Sequence, residues 1–196
     1  MTIQVYGDSI SGNCLKVKWT LDYLGIPYLW TETSVLKSES RTPDFLAMNP
    51  AGQVPTVVLS DGRPLAQSNA IIGHFAEGSD LIPTDAYDRA KMWEWMFWEQ
   101  YSHEPYVAVA RFQVAYLGKA VSDLDPKLVE RSNGALKHLD TALSGGGFLV
   151  GDRVSLADVA LVAYTRLAPE GGFDLALYPA VQAWIKRVEA ALDIKD

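Results

Sequence analysis

The chain has 196 residues, of which 48% are hydrophobic and 21% are charged, and its formal net charge is −7 at pH 7. This length fits one large or two small domains, and the composition is that of a folded globular protein. The negative charge disfavours phosphate backbones and anionic lipids, so neither nucleic acid nor a membrane is expected as a partner.

The first third of the chain alternates strand and helix patterns. Ile3 to Gly7 predicts a short strand, and Ser9 to Asn13 supplies turn and cap residues before a helix with apolar residues at helical spacing. Gly25 and Pro27 end that helix, and residues 28–33 predict a second strand. This order predicts a βαβ unit whose crossover makes the two strands parallel.

A short helix and a hairpin are predicted next. Residues 36–48 indicate a loop with a short helix, and Val57 to Leu59 predicts a third strand. Asp61-Gly62 is a hairpin turn leading to a fourth strand around Pro64 to Ala66, after which Ser68 is expected to cap a helix. The order β-α-β-α-β-β-α is that of a thioredoxin-like domain.

The rest of the chain predicts helices without strands. We expect a thioredoxin-like domain over residues 1–78, a linker over 79–86 and an all-helical C-terminal domain over 87–196. The fold class is therefore α/β plus all-α, with a C-terminal helical bundle. The four long candidate helices are Tyr87 to Leu117, Pro126 to Leu143, Leu156 to Leu167 and Pro179 to Leu192.

Two segments of the helical half carry further information. Ser155 and Asp158 have the spacing of a capping box, and Val154 is placed to pack against Val159. The segment Met92 to Tyr101 is rich in aromatic residues, which predicts burial against neighbouring helices or against a second subunit. We therefore expect a homodimer.

Cysteine and histidine usage disfavours disulfides and metal sites. Cys14 is the only cysteine, and His74, His103 and His138 share no metal-ligand spacing. We expect no metal. The single cysteine and a first segment without a signal-peptide pattern predict a cytoplasmic protein.

A proline enters the third predicted strand, in the segment Gly52-Gln53-Val54-Pro55-Thr56-Val57, and such a position needs a special reason. A cis Val54-Pro55 bond would let the Val54 N–H and C=O face a ligand peptide, which could pair like an added strand. The alternative is a trans proline at the start of a strand.

A possible anion-binding helix start follows, in the segment Gln67-Ser68-Asn69-Ala70-Ile71. Unpaired N–H groups and the helix dipole favour a carboxylate at such a position, and the Ser68 hydroxyl can add a hydrogen bond. The alternative is an ordinary N-cap.

Five parts of the chain together match one family of proteins. They are Tyr6-Gly7 with Ser11 to Val17, Asn49 to Thr56, Gln67 to Ile71, Phe148 to Asp152, and Ser155 to Ala160. With these motifs the chain resembles the cytosolic glutathione transferases over essentially its whole length, and bacterial-type members of the serine-using (theta/phi-like) branch in particular. The resemblance implies conjugation of reduced glutathione to hydrophobic electrophiles, although the fold also houses relatives without transferase activity.

The resemblance also implies roles for individual residues. Val54, next to Pro55, would pair through its backbone with the cysteinyl part of glutathione. Gln67 and Ser68 would hold the γ-glutamyl end, with help from Gln53.

Two further assignments follow from the resemblance. Arg41 lies where related enzymes often place a basic residue near the glycyl carboxylate, and a solvated surface arginine is the alternative. The electrophile pocket would be lined by four residues, for each of which plain packing is the alternative: Tyr106, Val109, Ala110 and Phe112.

Ser11 falls on the catalytic position of the serine-using branch. A free thiol has a pKa near 8.5, and a hydroxyl hydrogen bond at a helix N-terminus stabilises the thiolate selectively. Each pKa unit needs about 1.4 kcal/mol, so a charge-assisted hydrogen bond of roughly 1.5–3 kcal/mol suffices for one or two units. Tyr6 is the rival, which we interpret as packing, and Ser11 as a simple cap is the alternative.

Ser11 and Cys14 also mark the two ends of what would be a C-x-x-C motif in a redox-active thioredoxin-like protein. Because the first cysteine is missing, a dithiol oxidoreductase is disfavoured, and Cys14 is expected to be buried. Asn13 keeps a second activity open, since some relatives that reduce disulfides with glutathione use a hydroxyl residue and an Asn at this spacing. Glutathione-dependent disulfide or peroxide reduction and a non-catalytic binding module are therefore the alternatives.

Overall fold

A computed structural model describes residues 2–195, which form two compact units that divide after Ser79. The first unit has the predicted thioredoxin-like order of strands and helices, and a 3₁₀ turn at Glu39–Arg41 precedes its second helix. Its elements are β1 (Ile3–Gly7), α1 (Gly12–Tyr23), β2 (Tyr28–Glu32), α2 (Pro43–Met48), β3 (Thr56–Val58), β4 (Pro64–Ala66) and α3 (Ser68–Ala76).

The strands of the first unit form one sheet in the order β2-β1-β3-β4. β1 and β2 are parallel, which confirms the βαβ prediction, whereas β3 is antiparallel to both β1 and β4. Val5 and Val57 pair at the sheet centre and are fully buried, and the apolar faces of α1 and α3 are buried as well, through Val17 and Ile71 among others.

Several element boundaries differ from the sequence prediction by one residue, and two of them lie near the site. β3 begins at Thr56 rather than at Val57, because Thr56 pairs with both neighbouring strands. Ser68 is the first residue of α3 and not its N-cap, which is Gln67. The predicted hairpin turn is present, with Gly62 at a φ of 89° that favours glycine.

The second unit is helical, as predicted. Buried Leu81 and Ile82 show that the segment predicted as a linker contributes to the core of this unit, where the Leu81 carbonyl accepts a hydrogen bond from Leu156 N–H (3.0 Å). The α-helices are α4 (Ala86–Trp98), α5 (Glu104–Arg111), α6 (Pro126–Ala142), α7 (Leu156–Thr165) and α8 (Pro179–Ala191).

The long helix predicted over residues 87–117 is interrupted by π-helical turns at Glu99–His103 and Phe112–Tyr116. Pro105 follows the first of these turns. A proline lacks the N–H donor and its ring crowds the carbonyl four residues earlier, which accounts for the widened turn.

Helix α7 is the centre of the second unit, because all of its residues are buried. The predicted capping box is confirmed: the Asp158 carboxylate accepts hydrogen bonds from the Ser155 N–H and hydroxyl, both at 2.9 Å. It also accepts from Leu149 N–H (3.0 Å) and the Trp184 indole (2.8 Å). No helix within residues 2–195 is long and apolar enough to cross a membrane.

Candidate functional site

Three loops of the first unit meet at one end of the sheet. Tyr6 pairs with Thr56, which in turn pairs with Ala66, so the end of β1, the start of β3 and the end of β4 lie side by side. The loop after β1, the loop before β3 and the start of α3 therefore converge. These segments carry seven of the predicted site residues: Ser11, Asn13, Gln53, Val54, Pro55, Gln67 and Ser68.

A hydrogen bond joins the first turns of α1 and α3. The Ser68 hydroxyl donates to Asn13 Oδ1 at 2.9 Å, and the Ser68 side chain is buried. Gln67, just before Ser68, has a φ of 70° and a ψ of 112°, a conformation that is rare for a residue with a side chain. Backbone strain of this kind concentrates at functional sites, which supports a role for this helix start.

The loop before β3 is braced by side chains. Asn49 Nδ2 donates to the Gln53 carbonyl (2.9 Å) and to Thr56 Oγ1 (3.0 Å). The Val54-Pro55 bond is cis, which confirms the prediction. Among the described residues, neither the N–H nor the C=O of Val54 has a hydrogen-bond partner. Both groups therefore remain available to an external peptide.

Arg41 is fixed beside the same loop, although its side chain is exposed to solvent. Its Nη1 donates to the Ala51 carbonyl at 3.1 Å. The side chain lies across Gly52, where an added Cβ would come within 2.5 Å of Nη1 and where φ is 62°. Glycine at this position thus lets the Arg41 side chain lie against the loop before β3.

Ser11 stands at the N-cap position of α1, and its N–H donates to the Asp8 carbonyl at 3.0 Å. Among the described residues, its side chain makes no capping hydrogen bond. Half-buried at the start of a helix, the hydroxyl is placed to donate to an anion.

Cys14 is fully buried, as predicted, and its Sγ accepts a hydrogen bond from Asp8 N–H at 3.3 Å. Burial raises the pKa of the Cys14 thiol to about 12. The hydrogen bonds from Asp8 N–H and from the Ser11 side chain lower this pKa, but by less than burial raises it. Since the thiolate is the nucleophilic form, Cys14 is inert at neutral pH.

The side chain of Tyr6 is engaged within its own unit. Its hydroxyl donates to Gln4 Oε1 at 3.1 Å, and its ring packs edge-on against Phe45 with centroids 6.2 Å apart. These contacts support the interpretation of Tyr6 as a packing residue.

Sequence reasoning missed Glu32, the last residue of β2, which pairs with Gly7 at the end of β1. Its Oε1 accepts hydrogen bonds from the N–H (2.9 Å) and hydroxyl (3.1 Å) of Ser9, and its Oε2 accepts from the Trp30 indole (2.8 Å). One signal was available: the carboxyl ends of parallel strands meet at one edge of a sheet, so an acidic residue ending the second strand faces the loop after the first.

The four residues predicted to line an electrophile pocket belong to the second unit. Val109 and Phe112 are 40% and 37% exposed, whereas Ala110 is fully buried and presents no surface. Tyr106 is half-buried, its hydroxyl accepts a hydrogen bond from Arg131 Nη1 (2.5 Å), and the guanidinium lies 5.2 Å from its ring centroid.

Comparisons with known proteins match both units. The family model "Glutathione S-transferase, N-terminal domain" matches residues 10–77, and "Glutathione S-transferase, C-terminal domain" matches residues 95–191. A crystal structure of glutathione S-transferase from Pseudomonas fluorescens is 45% identical, with a TM-score of 0.93, and the match covers 97% of this chain and 96% of that one. The chain belongs to the glutathione S-transferase family.

Two relatives of this chain differ in the activity that their names state. Glutathione S-transferase 3 from Zea mays is 30% identical, over 96% of this chain and 89% of its own length. The disulfide-bond oxidoreductase YfcG from Escherichia coli (strain K12) is 26% identical, over 89% of this chain and 85% of its own length. The assignment to the glutathione transferase superfamily and the fold class are thus confirmed, and the serine-using branch stays a prediction.

Proposed function

We propose that this protein binds reduced glutathione at the loop end of its sheet and conjugates it to hydrophobic electrophiles by stabilising the thiolate. The observation that carries the proposal is the half-buried Ser11 hydroxyl at the N-cap position of α1, which caps no helix N–H among the described residues and hydrogen-bonds the Cys14 thiol. As in the serine-using branch of the family, Ser11 would donate its hydrogen bond to the glutathione sulfur.

The remaining site residues supply contacts along the tripeptide. The unpaired N–H and C=O of Val54 would bond the cysteinyl part as an added strand does. Gln67 and Ser68 would hold the γ-glutamyl end at the start of α3, assisted by Gln53, and Arg41 would meet the glycyl carboxylate.

The partner substrate would dock on the second unit. We keep the predicted set Tyr106, Val109, Ala110 and Phe112 for the electrophile pocket, with the exposed pair Val109 and Phe112 as its apolar surface. Ala110 is fully buried and could only support that surface from within. We also keep a homodimer, a cytoplasmic location and chemistry without a metal as predictions.

A second candidate function is glutathione-dependent disulfide or peroxide reduction. Asn13 favours it, because its side chain is fixed by Ser68 beside Ser11, at the spacing used by some disulfide-reducing relatives. The oxidoreductase from Escherichia coli among the relatives is consistent with this candidate. A non-catalytic binding module is the third possibility.

Comparing two activities on one purified sample tests the proposal. Conjugation of chlorodinitrobenzene is measured against glutathione-dependent reduction of a small disulfide. We expect conjugation to dominate. If the protein reduces the disulfide and does not conjugate, the second candidate function is correct. If it shows neither activity but still binds glutathione, it is a non-catalytic binding module.

Ser11→Ala tests the assigned residue. We expect conjugation at neutral pH to fall about tenfold to a hundredfold and the pH-rate midpoint to rise by about one or two units, since a charge-assisted hydrogen bond is lost. Ser122→Ala, at an exposed serine of the second unit, is the control and should change neither. An unchanged rate and midpoint in Ser11→Ala would leave Ser11 as a helix cap only.

Ser11→Cys should change the class of chemistry. The introduced thiol at a helix start should have a lowered pKa, attack a sulfur of oxidised glutathione, form a mixed disulfide and release one glutathione thiolate. Conjugation should therefore fall while thiol-disulfide exchange rises, and Ser11→Ala should show no gain in exchange.

A further inference from the structure

The loop between β1 and α1, residues 8–11, has all of its N–H groups engaged. Asp8 N–H donates to Cys14 Sγ (3.3 Å), Ile10 N–H to Asp8 Oδ1 (3.2 Å) and Ser11 N–H to the Asp8 carbonyl (3.0 Å). The remaining group, Ser9 N–H, donates to Glu32 Oε1 at 2.9 Å. The backbone of Ser9 is thus hydrogen-bonded to Glu32, a residue at the end of β2.

Glu32 is itself held in place by the neighbouring strand. Its Oε2 accepts from the Trp30 indole at 2.8 Å, and the Trp30 ring lies directly over Gly7, where an added Cβ would come within 2.6 Å of it. Glycine at the end of β1 therefore allows the ring to approach. Through this ring, the carboxylate has a fixed position relative to the end of β1.

Ser11 takes its position from the turn that Ser9 occupies. The Ser11 N–H to Asp8 carbonyl bond closes the turn, and Ser9 and Ile10 are its two central residues. Ser9 donates both its N–H and its hydroxyl to the same oxygen of Glu32, so one carboxylate restrains both its backbone and its side chain. Loss of that carboxylate would remove both restraints on Ser9 and leave the turn with the bonds made by Asp8 and Cys14.

We propose that Glu32 is a positioning residue for Ser11: its carboxylate fixes Ser9, and the Ser9 turn fixes the place of the Ser11 hydroxyl relative to bound glutathione. This inference rests on the proposed function of the site. It assigns to the end of β2 a role in the reaction, although Glu32 itself touches no reacting atom.

Glu32 also contributes charge at the same place. The ionisable groups facing this turn are Asp8, Cys14 and Glu32, and both carboxylates oppose an anion there, since each adds to the dominant effect of burial in raising the pKa of Cys14. The same two carboxylates would raise the pKa of a thiol bound near Ser11. Positioning and charge can therefore be separated by substitution.

The experiment compares Glu32→Ala, Glu32→Gln and the control Asp61→Asn. Asp61 is a carboxylate of the same unit whose Oδ1 also accepts a loop N–H, from Arg63 at 3.0 Å, but in the β3–β4 turn. The readouts are kcat, the KM for glutathione, the pH midpoint of thiolate absorbance in the glutathione complex, and amide exchange at Ser9.

Glu32→Ala should lower kcat at least about tenfold, because small misplacements of a reacting group are costly, and should speed exchange at Ser9 with the KM for glutathione nearly unchanged. Glu32→Gln keeps an acceptor for Ser9 but turns an NH2 donor toward the Trp30 indole, so it should restore part of kcat. It should also lower the thiolate midpoint by removing a charge. Asp61→Asn should match the wild type in all four readouts.

Two results would overturn the inference: unchanged kcat and Ser9 exchange in Glu32→Ala, or equal losses in Glu32→Ala and Glu32→Gln with no change of thiolate midpoint. A wild-type protein that binds glutathione without conjugating electrophiles would instead count against the proposed function. Exchange at Ser9 would still decide whether Glu32 fixes the turn.

Discussion

Ser11 and Cys14 stand three residues apart at the start of α1, and burial separates their chemistry. Ser11 is half-buried at the N-terminus of the helix, where a hydroxyl proton can reach a ligand, whereas Cys14 is fully buried. A thiol without solvent stays protonated, since burial disfavours its charged form. Under the proposed function, the reactive sulfur is therefore that of bound glutathione and not that of Cys14.

Cys14 should make the free energy of unfolding depend on alkaline pH. Burial raises the pKa of its thiol from 9.0 to about 12 in the folded chain. Below about pH 9 the thiol is protonated in both states. Between about 9 and 12 only the unfolded chain releases the proton, so stability falls as pH rises, by about 1.4 kcal/mol per unit.

Urea unfolding of the wild type and of Cys14→Val at about pH 8 and pH 10 measures this effect. Tyrosines and lysines also titrate there, but they are common to both proteins, so the difference between the two slopes isolates Cys14. The wild type should lose more stability than Cys14→Val on going to the higher pH. Parallel slopes would contradict the burial argument.

At the residue scale, local patterns predicted what depends on local sequence. Val54-Pro55 at a strand entry and Cys14 on the apolar side of a helix are such cases, and both are confirmed. The contact of Glu32 with Ser9 spans 23 positions and depends on the rotamer of a side chain. Strand patterns alone predict which ends meet, but not which side chains bond.

Among the elements, α7 depends most on a single side chain. The Asp158 carboxylate joins the helix start to the preceding loop and to α8 through Ser155, Leu149 and Trp184. Because its donors lie in a closed core, removal of the acceptor leaves them without water as a substitute.

Asp158→Ala should therefore destabilise the protein by about 3 kcal/mol or more, the range expected when buried polar partners lose their acceptor. Asp152→Ala is the control, because that side chain is 97% exposed and lies 3.9 Å from Arg153, and it should change stability by less than about 0.5 kcal/mol. Urea unfolding of both variants measures the difference. Similar small losses in the two would show that the Asp158 network contributes little.

Element boundaries were predictable where proline marks a helix start. Pro126 and Pro179 begin α6 and α8 where the sequence predicted. The π-helical turns in the region 99–116 were not predicted, because their pattern of apolar residues resembles that of an ordinary helix. Pro105 is the one local signal, and it marks only the first of them.

At the scale of the whole molecule, α4 carries an apolar surface on the outside of the second unit. Ala90, Trp93, Glu94 and Phe97 line a shallow, open hollow of about 650 Å³, and Phe97 is 71% exposed. Tyr101, one helical turn further on, is 83% exposed. Exposed aromatic residues of this kind mark interaction surfaces, and we predict that a second copy of the chain covers this surface in a homodimer.

The homodimer is tested by sedimentation at micromolar concentration. We expect the wild type to sediment at about twice the 21.6 kDa of one chain. Phe97→Glu should shift it toward the monomer, because a charge would have to be buried in an apolar contact. Leu177→Glu, at another exposed apolar residue of the second unit, is the matched control and should leave the dimer intact.

A wild type near 21.6 kDa would exclude the homodimer. A dimer that persists in Phe97→Glu would place the contact away from α4, since an unpaired carboxylate at a buried apolar contact costs several kcal/mol and dissociates most such interfaces.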